Sequence, residues 1–135
     1  MTLTDAGPLV ALVDRNEATH DACRLALPRL AKPMVTPSPC FTEAMYLLGR
    51  ELGYPGQKAL WTLRSSGMLE VRSVPEEEWD RMETLMEKFR DAPMDLADAS
   101  LVAAAETLGL RRVFTLDRHF YAYRLNDGSA LEVVP

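Results

Sequence analysis

Short apolar runs alternate with helix-period stretches from one end of the chain to the other, which leaves few architectures open. Residues 2–5 read as a first strand. Gly7-Pro8 breaks it, and residues 9–14 continue as a helical turn. Residues 17–30 carry Ala22, Leu25, Ala26 and Leu30 at helical spacing. Residues 34–36 form a second strand, punctuated by Pro37 and Pro39. Helices follow over 40–52 and 55–65, stopped near Gly53 and Gly67. A strand over 69–74 precedes a helix that opens on Pro75 and runs to Phe89, with Glu76, Glu77 and Glu78 at the positive end of its dipole. A helix from Asp95 to Gly109, a strand over 113–116, a short helix over 118–123 and a last strand over 131–134 complete the order. Such alternation predicts an α/β fold with a mainly parallel central sheet. The length of 135 residues, with no repeat or linker, predicts a single domain over 1–135. A chain of this size buries about two thirds of its unfolded surface.

The stretch DAPMDLADASLVAAAETLG, residues 91–109, raises a question of charge. At 100° per residue Asp98 shares a face with Leu101, Val102 and Ala105, whereas Ser100 and Thr107 fall on the other side. A carboxylate on a buried face needs a partner. One answer is local: Asp95 as N-cap and Asp98 as the third helical residue make a capping box. The other is collective. Asp5 ends the first strand, Glu43 lies in the first turn or so of the helix after the second, and Asp117 follows the 113–116 strand. In a parallel sheet, strand ends and the starts of the following helices share one edge, where α/β proteins bind ligands. Asp98 lies within reach of that edge. Two carboxylates about 5 Å apart repel by roughly 3 kcal/mol at an effective dielectric of 20. The group therefore retains protons or takes up a cation. Oxygen-only donors suit Mg²⁺ or Mn²⁺, and no His or Cys cluster favours zinc.

A net charge of −5 argues against holding nucleic acid by bulk positive charge, although cations loaded into an acidic pocket present positive charge locally. Cys23 and Cys40 form no CxxC motif, which disfavours a disulfide scaffold and a thiolate zinc site. No apolar run is long enough for a membrane span, and residues 1–5 lack the basic-then-apolar pattern of a secretory signal. A cytoplasmic protein with no membrane partner is expected.

Four segments carry a family resemblance: LTDAGPLVALVD (3–14), TPSPCFTEAMYLLG (36–49), MDLADASLVAAAETLG (94–109) and VFTLDRHF (113–120). In this order and spacing they resemble the PIN domain, and within it the VapC-type toxins of bacterial and archaeal toxin–antitoxin systems. The resemblance implies a three-layer α/β/α sandwich. It maps the family's four acids onto Asp5, Glu43, Asp98 and Asp117, which would hold one or two Mg²⁺ or Mn²⁺ ions and cut single-stranded or tRNA-like RNA. Asp95 matches a frequent additional acid that supports the site. Thr115 matches a Thr or Ser placed to hold a carboxylate or a metal-bound water. Arg118, beside Asp117, is the best-placed arginine for a phosphate contact. A small antitoxin partner and a homodimer are also implied, through apolar helices over 40–67 that carry Met45, Tyr46, Trp61 and Leu63. One departure is that Ala6-Gly7-Pro8 follows the first acid, where many relatives place a Ser or Thr within two residues.

The residues alone leave alternatives open. Asp5 reads equally as a turn former or cap, and Asp117 as the cap of the helix at Arg118. Glu43 faces Tyr46 and Arg50, away from Phe41, Met45, Leu48 and Leu52, as a solvated Glu would. His119 reads as solvent-facing, Trp61 and Trp79 as core or interface, and Asp14 as a helix-end residue. Rival functions are a PIN nuclease of RNA processing and a module of the same fold that binds RNA or protein without cutting. A phospho-receiver domain is rejected because it needs a lysine after a late strand, and Lys32, Lys58 and Lys88 are the only lysines.

Overall fold

In the computed structural model, which describes residues 1–135, five short strands run parallel in one sheet. They are β1 (Thr2–Thr4), β2 (Met34–Pro37), β3 (Leu69–Arg72), β4 (Arg112–Phe114) and β5 (Glu132–Val134), in the order β3-β2-β1-β4-β5. The central strand β1 is buried throughout, and its polar side chains are satisfied locally. Thr2 Oγ1 donates to the Ala31 carbonyl at 2.9 Å, and Thr4 Oγ1 to the Thr2 carbonyl at 3.1 Å. This meets the requirement that buried hydroxyls be paired.

The sheet alternates its side chains between two cores. Leu3 and Val113, opposite each other in register, face a core shared with α5 (Trp79–Lys88) and α6 (Leu96–Leu108). Met34, Leu69 and Phe114 face a second core with α1 (Ala6–Val13), α2 (His20–Ala26), α3 (Ser38–Leu52) and α4 (Tyr54–Ser65). The result is the three-layer α/β/α sandwich. The chain builds outward from β1 to β2 and β3, then α6 brings it back so that β4 lies on the other side of β1. The strand order therefore reverses at β1 and β4, the kind of crevice where open α/β sheets place their ligands.

Several boundaries differ from the sequence reading, mostly at prolines. Helix α1 begins at Ala6, so Gly7-Pro8 lies inside its first turn and does not break it. A proline there loses no bond, because the first amides of a helix have no intrahelical acceptor. The helix expected over 17–30 is shorter, and Pro28 falls in a single 3₁₀ turn over Leu27–Arg29. Pro75 stands extended before a 3₁₀ turn of Glu76–Glu78, and α5 starts only at Trp79. The stretch over 118–123 is a 3₁₀ turn over Arg118–Tyr121. Trp61 and Trp79 are 47% and 43% exposed, so neither is a core residue and the interface half of their reading is the one left. No helix is long and apolar enough to cross a membrane.

Helix α6 is the larger correction. It is not amphipathic: every residue from Ala97 to Ala105 is buried, Ser100 included. Ser100 Oγ donates to the Ala97 carbonyl at 2.7 Å. The alanines let α3, α5 and the sheet approach from several sides. Asp98 is buried because the helix is interior on every side over Ala97–Ala105, not because one face is.

Glu106, near the end of α6, clamps this layer. Its carboxylate takes both Arg81 donors, at 2.8 and 2.9 Å, and also accepts the Asn126 amide. Its side chain is 7% exposed. Glu106→Ala leaves Arg81 partly buried and unpaired, and is expected to cost about 2–3 kcal/mol of stability. Glu132→Ala, which removes the exposed partner of Arg112, is expected to cost under about 1 kcal/mol. Urea denaturation of the two variants checks the contrast.

Candidate metal centre

The carboxyl edge of the sheet collects acids because four different segments end or begin there. Asp5 follows β1, and its amide donates to the Phe114 carbonyl at 2.9 Å, which ties the end of β1 to the end of β4. It is the N-cap of α1, with Oδ1 accepting the Ala6 amide at 2.8 Å. Glu43 stands on α3, and Asp95 and Asp98 form the start of α6. Asp117 follows β4 and caps the 3₁₀ turn after it, accepting the His119 amide at 2.9 Å. Asp5, Glu43, Asp95, Asp98 and Asp117 all line one cavity of about 290 Å³, with Gly7, Leu47 and Leu116 completing much of its wall. No basic side chain lines it.

Each buried acid is steadied by neutral donors. Thr115 Oγ1 donates to Asp5 Oδ2 at 2.8 Å across 110 residues of sequence, and accepts the Asp117 amide at 3.1 Å. Asp95 and Asp98 make the full capping box: the Asp98 amide donates to Asp95 Oδ1 at 2.8 Å, and the Asp95 amide to Asp98 Oδ2 at 3.2 Å. The Tyr123 hydroxyl donates to the same Asp98 Oδ2 at 3.1 Å. Tyr123 and His119 are the partners that sequence reasoning missed. His119 is exposed, as expected, but its Nδ1 lies 2.8 Å from Asp117 Oδ1. Only the rule that a buried tyrosine hydroxyl seeks a partner pointed toward Tyr123, and it does not name the partner.

The electrostatics follow from this crowding. Burial pushes Asp98 up to about 7, with the Asp95 and Asp5 charges adding to it and the Asp95 amide opposing. Burial also raises Asp5, against the pull of Thr115 and the Ala6 amide and with the help of Asp117 and Asp95. Glu43 is largely exposed, yet partial desolvation at the cavity wall and the charges of Asp5, Asp95 and Asp117 raise it too.

The donor set fits a hard divalent cation. All five acids offer oxygen, and several oxygens are left over from the structural bonds. Asp98 Oδ1, Asp95 Oδ2, Asp117 Oδ2 and both Glu43 oxygens accept no hydrogen bond from the protein. No three acids form a ready-made coordination sphere. A hard cation held there would keep several waters and meet only one or two carboxylates directly. Arg118 is placed apart from this group, exposed on the 3₁₀ turn beyond Asp117.

The raised Asp98 has a consequence for stability without metal. Its folded value lies above the unfolded one, so the neutral form favours the fold. Stability from this group is present at low pH and is lost as pH rises from about 4 through about 7. In EDTA at pH 8, Asp98→Asn is expected to be more stable than wild type by about 1–3 kcal/mol, with the gap closing toward pH 4. Thermal unfolding midpoints across pH measure this.

Comparison with known proteins agrees with the fold. The chain is 27% identical over 134 residues to ribonuclease VapC26 of Mycobacterium tuberculosis, covering 98% of this chain and 99% of that one. Its structure is similar to that of the Mycobacterium tuberculosis toxin VapC20, which cleaves the sarcin-ricin loop, with a TM-score of 0.86 at 19% identity and full coverage of both chains. It is also similar to a toxin–antitoxin complex from Klebsiella pneumoniae, with a TM-score of 0.71 at 17% identity, covering 100% of this chain and 97% of that one. The PIN domain model matches residues 2–125, and the chain belongs to the PIN domain family.

Proposed function

We propose that this protein is an endoribonuclease dependent on Mg²⁺ or Mn²⁺, acting as the toxin of a VapBC-type pair in the cytoplasm. The observation that carries this reading is the cavity at the switch point, lined by five carboxylates from four segments with no basic side chain to balance them. Residues 1–135 would work as one domain, with Asp5, Glu43, Asp98 and Asp117 holding one or two ions and Asp95 and Thr115 supporting them.

The chemistry that such an ion supplies is a lowered pKa of water and an offset for the charge that builds on a phosphodiester under in-line attack. The protein's own part is positional. Thr115 and the Ala6 amide fix both oxygens of Asp5. The capping box and Tyr123 hold one oxygen of Asp98 and leave the other free. Burial and its acidic neighbours make Asp98 hold a proton more readily than an ordinary carboxyl, and a bound cation would favour its charged form. Partners would be single-stranded or tRNA-like RNA, a small antitoxin and a second copy of this chain. Tyr46, Tyr54 and Trp61, exposed on α3 and α4, offer apolar area for a protein partner. The similarity to a ribonuclease over nearly the whole of both chains supports the reading.

The test is cleavage of single-stranded and tRNA-like RNAs by wild type and Asp98→Asn, in Mg²⁺, Mn²⁺ or EDTA. Wild type is expected to cut only with metal, and Asp98→Asn to be slower by at least about 100-fold. Equal cutting by the two proteins, or cutting in EDTA, overturns the assignment of the site.

A further inference from the structure

We propose that the groove beside the acidic cavity is a nucleotide subsite, in which Tyr121 stacks on a base of single-stranded RNA and Arg118 pairs with its phosphate. The proposal rests on the nuclease reading above and adds to it the means by which the strand is held. A second cavity of about 460 Å³ is lined by Leu116, Arg118, Tyr121, Val133 and Pro135, and shares Leu116 and Asp117 with the acidic cavity. A strand leaving the acids past Asp117 enters it directly. Its size is within the range of about 300–1,000 Å³ common for small-molecule pockets.

Arg118 is the only basic side chain lining either cavity, and it makes no ion pair. The neighbouring Arg111 and Arg112 are engaged with Asp127 and Glu132. In a chain of net charge −5, a free guanidinium one residue from the acids is where a polyanion finds its counter-charge. The local backbone presents Arg118 and Tyr121 together. They are three apart on the 3₁₀ turn Arg118–Tyr121, where three residues complete one turn and positions i and i+3 eclipse.

The turn is also anchored. Phe120 is fully buried against Tyr123, with ring centroids 5.0 Å apart. The Tyr121 carbonyl accepts Arg124 at 2.8 Å. The platform is therefore rigid, while the Tyr121 ring itself is 60% exposed and packs on no other aromatic. A rigid, exposed aromatic beside a free arginine is the combination that holds unpaired nucleotides, because every base has a π-face to stack. Duplex bases already stack on each other, so the occupant is single-stranded.

The test is binding of a fluorescein-labelled, random-sequence single-stranded RNA, read by anisotropy in Ca²⁺, alongside the shift of melting temperature by Mn²⁺. Tyr121→Ala is expected to weaken RNA binding about 5- to 100-fold, Tyr121→Phe to retain it and Tyr121→Leu not to. Arg118→Ala is expected to weaken binding and flatten the logarithmic salt dependence by about 0.7. All four variants should keep the Mn²⁺ shift of wild type. If wild type binds RNA and Tyr121→Ala binds equally well, or Tyr121→Leu matches Tyr121→Phe, the stacking subsite is overturned and the nuclease reading stands. If wild type binds no single-stranded RNA, the subsite is overturned, and the cleavage assay above decides the nuclease reading separately.

Discussion

Carboxylates gathered in one crevice repel each other, and a protein can hold them there only if the surrounding structure over-determines their positions. Here the restraint comes from neutral donors: the Ala6 and Asp95 amides, Thr115 and Tyr123. Arginine could have neutralised the acids outright, and elsewhere this chain uses it that way, in the Arg72–Glu78 and Arg81–Glu106 pairs. At the crevice it does not. Neutral hydrogen bonds fix geometry without cancelling charge, so negative potential is kept for a cation. Burial, with the charges of the neighbouring acids adding to it, raises Asp5, Glu43 and Asp98 above their ordinary values.

The restraint also explains why the fold must close where it does. Thr115 bonds to Asp5 across 110 residues, and the Asp5 amide bonds to the Phe114 carbonyl, so the β1–β4 junction and the acid site form together. Tyr123 reaches Asp98 from beyond the Arg118 turn, in the same core as Phe120 and Phe89. Packing of that aromatic cluster thus sets the position of a carboxylate. Stability of one layer and geometry of the site are the same set of contacts.

The alternation of strands and helices, the parallel sheet and the edge shared by the acids were legible in the sequence, because a parallel sheet places its strand ends and following helix starts on one side. Asp98 was reached by reasoning that was partly wrong. Helix α6 has no polar side over Ala97–Ala105, so the wheel assigned Ser100 to solvent when it is buried. Glu43 stood on the polar side of α3, and helix periodicity reports burial without naming what lies opposite. It lines the acidic cavity. Proline positions misled at Pro8 and Pro75, and the helix drawn over 17–30 ran straight through Pro28, since one residue type opens, interrupts or precedes a helix according to which amides are already unpaired. Tyr123 was beyond reach because its partner is set by tertiary packing, whereas His119 meets Asp117 two residues away, through the cap of a 3₁₀ turn that the sequence did not resolve.

Capping and metal holding first stood as rival explanations for Asp95 and Asp98, and the oxygen count shows that they are compatible. The capping box takes Asp95 Oδ1 and Asp98 Oδ2, and Tyr123 shares the latter. One oxygen of each carboxylate stays without a protein partner. Asp117 repeats the device: Oδ1 meets His119 twice, through its amide and its ring, while Oδ2 is free. A capping aspartate is already pinned at a helix start that faces the carboxyl edge of the sheet, so little further ordering is needed for it to meet an ion. Local helix chemistry supplies the rigidity, and the unused lone pairs supply the donors. Asp117 then marks a boundary of charge, with acids on one side and the unpaired Arg118 on the other. An acidic pocket and an unpaired arginine thus stand side by side, and the single 3₁₀ turn after β4 places them one residue apart.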